Sequence, residues 1–108
     1  MLNAESYYQE LAACNDGDPE ACFRAGNFYS SDGYKLKDYN ASTAAHEVAK
    51  LYKKSCDLGY IKGCTAFAMN YTAGKDLDKK HDARYYFNKA CEGGDESACV
   101  IQKMMPTE

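Results

Sequence analysis

The chain has 108 residues, 13 basic and 16 acidic, for a net charge of −3. That length suits one domain with a modest core, and the charge excludes the strongly basic footprint of a nucleic-acid binder or a polybasic membrane surface. No stretch approaches the ~20 apolar residues of a membrane helix, and six cysteines in so short a chain point to disulfides and an oxidising compartment.

Composition favours helix: Ala, Lys, Glu, Leu and Met are common, with two prolines, two valines and two isoleucines. The first predicted helix carries an apolar set at Ala4, Tyr7, Tyr8 and Leu11. In this reading Tyr8 packs and Tyr7 is left for contact. Cys14 then opens a turn. Ala13-Cys14 leads to Gly17 and on to Ala21-Cys22; Asp18-Pro19 reads as the N-cap and first residue of a second helix. That helix offers Ala25, Gly26 and Tyr29 to its neighbours, and Gly26 allows one of them to approach closely.

The polar, turn-rich stretch Ser31–Ser42 follows, read as the most mobile internal segment. The next helix has Ala44, Val48, Leu51, Tyr52 and Ser55 at helical spacing. Ser55-Cys56 leads to Gly59 and then Gly63-Cys64, after which Phe67, Ala68 and Tyr71 repeat the offsets of Ala25, Gly26 and Tyr29. Ala83, Tyr86, Phe87 and Ala90 mark the third such helix. Ala90-Cys91 leads to Gly94 and Ala98-Cys99, with Asp95 as a cap and Val100, Ile101, Met104 and Met105 as the last apolar set.

The pattern [small]-Cys-x-x-Gly-x-x-x-[Ala/Gly]-Cys thus occurs three times. Internal repetition of this kind outranks any local signal. It divides the chain into repeats at about 3–33, 43–75 and 78–105, with an inserted linker at about 31–42. Cys14 and Cys56 lie 42 residues apart, Cys56 and Cys91 only 35, so the first linker carries seven extra residues. In one continuous helix the paired cysteines would sit ~12 Å apart along the axis, beyond the ~7 Å a disulfide spans. A glycine three residues after the first cysteine can end the helix in a left-handed conformation, letting the chain double back. The predicted bridges are Cys14–Cys22, Cys56–Cys64 and Cys91–Cys99. A zinc site or free thiols are the alternatives; zinc ligands are more often spaced C-x2–4-C, and no C-x-x-C redox motif occurs.

With these residues in view, the chain resembles the Sel1-like repeat family, and most closely the Helicobacter cysteine-rich (Hcp-like) proteins. The resemblance rests on YKKSCDLGYIKGC (Tyr52–Cys64), on YYFNKACEGGDESAC (Tyr85–Cys99), and on Ala25-Gly26 with Tyr29. It spans nearly the whole chain. It implies an all-α fold, an α/α solenoid of three Sel1-like (TPR-like) helix-turn-helix repeats, each with an internal disulfide. It further implies periplasmic or secreted use and binding of proteins or cell-wall fragments; some relatives are described as penicillin-binding or weak β-lactamases. The long first linker and the short array depart from the family pattern.

Catalytic signals are sparse. His46-Glu47-Val48-Ala49-Lys50 lacks the second histidine of H-E-x-x-H. Neither S-x-x-K nor G-x-S-x-G occurs, and Thr72-Ala73-Gly74-Lys75 has only the outline of the first. No catalytic residue, metal ligand or cofactor is assigned, and His46 and His81 are read as solvated helix-end residues. Asp38-Tyr39-Asn40-Ala41-Ser42 holds an N-x-S sequon, and the acid two residues before Asn40 resembles the extended sequon of some bacterial oligosaccharyltransferases. Asn70-Tyr71-Thr72 is a second match, expected within a helix.

The expected function is protein or peptide binding in the periplasm or outside the cell. Predicted contact residues are Lys50, Lys53 and Lys54 on the second repeat's first helix, Arg84, Tyr85 and Asn88 on the third's, and Tyr7. Tyr34, Tyr39 and Tyr60 are further exposed-aromatic candidates. A basic, aromatic strip suits an acidic partner or a carboxylate-bearing cell-wall fragment. The alternatives are a peptidoglycan-fragment or β-lactam binder with weak β-lactamase-like activity, and a cytoplasmic immunity-type inhibitor of a toxin. Met1–Glu10 has neither the basic segment nor the apolar core of a secretory leader, which favours the last unless a leader has been removed.

Overall fold

In a computed structural model of the chain, which describes residues 3–106, the ordered elements are all helical. They are α1 (Ala4–Asn15), α2 (Pro19–Asp32), α3 (Ala44–Asp57), α4 (Ile61–Met69), the single turn α5 (Tyr71–Gly74), α6 (Ala83–Glu92) and α7 (Glu96–Met104). Short 3-10 turns follow α2 at Gly33–Lys35 and α5 at Lys75–Leu77. Three helix pairs, α1–α2, α3–α4 and α6–α7, each hold one disulfide: Cys14–Cys22, Cys56–Cys64 and Cys91–Cys99. Among the described residues all six cysteines are paired and none is left over.

The three turns share one backbone design. Gly17, Gly59 and Gly94 take φ values of 102°, 105° and 107°, a region costly for residues with a Cβ. At each turn the glycine N–H donates to the carbonyl of the first cysteine at 2.9–3.0 Å. The N–H of the next residue donates back to the residue before that cysteine, at 3.0 Å each time: Asp18 to Ala13, Tyr60 to Ser55, Asp95 to Ala90. This is the Schellman pattern, which satisfies carbonyls a helix end otherwise leaves open. It folds the chain back so sharply that the cysteine Cα atoms lie 4.5–4.6 Å apart. Asp18 and Asp95 then cap α2 and α7, Asp18 accepting from the N–H of Glu20 and Ala21 and Asp95 from that of Ser97. Asn3 and Asp82 do the same for α1 and α6.

Packing follows chain order: α1 on α2, α2 on α3, α3 on α4, α4 on α6 and α6 on α7. At the first seam between pairs, Gly26 of α2 lies beneath the Tyr52 ring of α3, where a Cβ would come within 2.6 Å of Cε1. The Tyr52 hydroxyl donates to Asn27 Oδ1 at 2.6 Å, and Ser55 Oγ donates to the Pro19 carbonyl at 2.8 Å. At the second seam Phe67 meets Tyr86 edge-on at 4.8 Å, Ile61 covers Gly93, and Thr65 Oγ1 donates to Asp95 Oδ2 at 2.6 Å. The main core joins Val48, Ala49, Tyr52, Phe67, Tyr86 and Phe87; a smaller one gathers Tyr7, Ala25, Phe28 and Leu36.

Three expectations need correction. The roles of Tyr7 and Tyr8 are reversed: Tyr7 is buried, stacked on Phe28 at 5.3 Å, while Tyr8 is 46% exposed. The inserted linker is not all solvated loop: Leu36 enters the smaller core and Gly33 is buried in the 3-10 turn. On α7 only Ile101 and Met105 pack against the core; Val100 and Met104 face solvent.

Candidate functional site

The predicted contact residues do not behave as one set. Lys50 and Lys53 on α3 pair with acids of their own helix, Lys50 with Glu47 at 3.6 Å and Lys53 with Asp57 at 2.7 Å. Lys53 is the more enclosed of the two, and Lys54 is exposed and reaches Asn15 Oδ1 of α1 at 3.5 Å. Exposed pairs of this kind contribute little and exchange readily, so Lys50 and Lys54 remain available to a partner. Tyr7 is withdrawn from the contact set by its burial. Asn88 turns inward: its Oδ1 is buried without a hydrogen-bond partner, so that atom is not offered to a ligand.

Arg84 and Tyr85 belong to a more organised cluster at the start of α6. Asp78, in the loop before it, accepts from the Tyr86 hydroxyl at 2.5 Å, from His81 Nδ1 at 2.8 Å, and from the backbone N–H of Lys80 and His81 at 2.9 and 3.2 Å. The Tyr86 hydrogen bond, backed by those of His81 and Lys80, holds this carboxyl well below the usual carboxylate range. Burial, and then Asp78 itself, push the Tyr86 hydroxyl far above its ordinary value. Since an ionised Asp78 can only accept, Nδ1 of His81 carries the proton, and in the neutral ring Nε2 is left as the acceptor. The Tyr71 hydroxyl donates to the His81 carbonyl at 3.2 Å.

On this platform the His81 ring stacks on Tyr85 at 3.8 Å, and Tyr86 meets Tyr85 edge-on at 5.0 Å. Tyr85 is 39% exposed yet held on two sides. The expectation that His81 is merely solvated is therefore revised: it links the Asp78 loop to an exposed aromatic. His46 is likewise engaged, its Nε2 3.0 Å from Asp76. Sequence reasoning missed Asp78. The available signal was Asp78 and Asp82 bracketing His81 just before the helix, a capping arrangement legible only in hindsight.

Two concave features are lined by residues outside the cluster. A cleft of about 620 Å³ lies between the second and third turns, lined by Tyr60, Ile61 and Lys62 on one side and Gly94, Asp95 and Glu96 on the other. A smaller one of about 230 Å³ sits beside Tyr29, Tyr39 and Val48. Among the described residues, no three His, Cys, Asp or Glu side chains gather as a metal site would require, and no helix is long and apolar enough to cross a membrane.

The sequon residues lie on the exposed turn before α3. Asn40 Oδ1 accepts from the Ser42 N–H at 2.9 Å and from Ser42 Oγ at 2.6 Å. Asn70 sits at the junction of α4 and α5, not inside one helix, and its Nδ2 donates to the Ala66 carbonyl at 2.7 Å. No protein-family model, curated protein or solved structure matches the chain.

Proposed function

We propose that this chain is a disulfide-stapled α/α solenoid of three Sel1-like repeats that binds a protein or peptide partner in the periplasm or outside the cell. The thrice-repeated turn, with its left-handed glycine and local disulfide, supports the repeat reading; the disulfides favour an oxidising compartment. One observation carries the binding reading: Tyr85 is exposed but immobilised between His81 and Tyr86. A rigid amphipathic ring loses little conformational entropy when covered, and such rings dominate binding energy at interfaces.

Arg84 lies next to Tyr85 on α6, and Lys50 and Lys54 add positive charge on α3. The proposed contact set, Arg84 and Tyr85 with Lys50 and Lys54, suits an acidic peptide or the acidic face of a protein, where the cations speed encounter and set register while the tyrosine supplies buried area. Tyr85→Ala should weaken capture of the partner from the native host's exported fraction by about tenfold or more, the hot-spot range. Lys50→Glu/Lys54→Glu should slow association and flatten its salt dependence. Tyr8→Ala, an exposed aromatic that is not one of these residues, serves as control. Unchanged capture by both test variants, with the fold intact, would place the binding surface elsewhere.

A further inference from the structure

We propose that Asn40 is the acceptor of an N-linked glycan, donated by a polyprenyl-pyrophosphate oligosaccharide, and that Asp38 is part of the signal the transferase reads. The sequence supplies Asp38-Tyr39-Asn40-Ala41-Ser42; the structure shows it in a form an enzyme can reach.

Asn40, Ala41 and Ser42 are all exposed, on a turn between the linker and α3. The two hydrogen bonds from Ser42 fix the carboxamide. Because the Ser42 backbone N–H can only donate, the amide atom facing it must be Oδ1. Nδ2 is therefore the outward atom, and it makes no hydrogen bond within the described residues. The hydroxyl that the sequon demands at the third position is already on the acceptor amide at 2.6 Å. Asp38 is exposed as well. Among the described residues it takes a single side-chain hydrogen bond, from the Tyr8 hydroxyl at 3.3 Å, and no ion pair, so its carboxylate remains open to a cationic side chain of the transferase.

The second sequon is the internal contrast. Asn70 is half-buried, its Nδ2 is committed to the Ala66 carbonyl at 2.7 Å, and the position two before it is the buried Ala68. Glycosylation there would break a helix-end hydrogen bond and force a glycan against the α4–α5 junction. The same three-residue motif is thus accessible at one site and occupied at the other.

The chemistry balances without a redox partner. Asn40 Nδ2 forms a bond to the anomeric carbon of the sugar as that carbon's bond to the pyrophosphate oxygen breaks. The lipid pyrophosphate leaves with the electron pair, and Nδ2 gives up one proton to the transferase's base. The donor and the transferase are supplied by the membrane of the exporting compartment, where disulfides also form.

To test this, the full chain is exported to the periplasm of a bacterial host carrying an acid-requiring N-oligosaccharyltransferase and a lipid-linked oligosaccharide of known mass, beside a control acceptor protein. Intact mass and peptide mapping should show one glycan on the peptide containing Asn40. It should vanish in Asn40→Gln, persist in Asn70→Gln, and fall at least about tenfold in Asp38→Ala, the loss of one charge-assisted contact. The six hydrogens lost to three disulfides, read from the same mass, report that each variant is folded. Unmodified Asn40 on folded protein while the control is glycosylated would overturn the proposal, as would a glycan on Asn70 in its place. Undiminished occupancy in Asp38→Ala would overturn the role given to Asp38.

Discussion

All three disulfides close loops of the same length, a separation of 8 residues, so chain entropy alone assigns each the same value, about 2.5 kcal/mol. Burial breaks the tie. Cys14, Cys22, Cys56 and Cys64 are all 0–1% exposed, whereas Cys91 and Cys99 are only partly buried, on the pair whose last helix packs chiefly on α6. Replacing a buried pair by alanines also removes two sulfurs from close packing, each comparable to a buried methylene at about 0.8 kcal/mol. Cys91→Ala/Cys99→Ala should therefore cost about 2.5 kcal/mol, and Cys56→Ala/Cys64→Ala or Cys14→Ala/Cys22→Ala about 4 kcal/mol. Urea unfolding measures the difference, and thermal melts should separate the variants by about 6–12 °C. Under limiting reductant followed by alkylation, Cys91 and Cys99 should be labelled first. Three equal losses, or first labelling at Cys56, would refute the reasoning that burial ranks the bridges.

Two other predictions concern the turns and the Asp78 cluster. Gly59→Ala should destabilise by about 1–2 kcal/mol through backbone strain alone, since no atom lies within 4 Å of the added Cβ; denaturant melts check this. Asp78 is an acid whose folded-state pKa is depressed, mainly by the Tyr86 hydroxyl. Its stabilisation is full above the ordinary Asp value of ~3.9 and is lost as pH falls through the lower folded value. Asp78→Asn should be less stable than wild type at pH 7, with the gap narrowing steadily below about pH 4; a gap that is constant in pH would show that Asp78 is not ionised in the fold.

The turns were the most legible part of the chain, for a physical reason. A left-handed glycine, a capping aspartate and a cysteine pair are local requirements that each leave a residue-level mark, and three copies of Cys-x-x-Gly made the marks unmistakable. Tyr7 and Tyr8 show where legibility ended. Both fall within the apolar stripe of α1, one helical step apart, and periodicity cannot say which of two neighbours sits at the centre. The choice is made by Phe28 on α2 and by Leu36, which comes from a linker whose composition reads as solvated loop. A single leucine among polar residues carries no periodic signal, yet it enters the smaller core. Tyr85 was legible as an exposed aromatic; its clamp was not, because it depends on His81 being oriented by Asp78 across a loop with no repeat counterpart. Asn88 failed similarly: its helical position faces outward by pattern, while its amide oxygen is turned in.

The local character of the disulfides also determines how the molecule would respond to tension. Pulled from its two ends, the chain transmits force through each sulfur bridge and bypasses the residues inside it. Each bridge withholds about 25 Å of contour, the reach of the enclosed segment. No disulfide crosses from one helix pair to the next, so the seams at Tyr52–Asn27 and Thr65–Asp95 are the compliant joints and the hairpin corners are the rigid ones. Under load the three pairs should part from one another before any corner opens, leaving stiff links on an extensible thread.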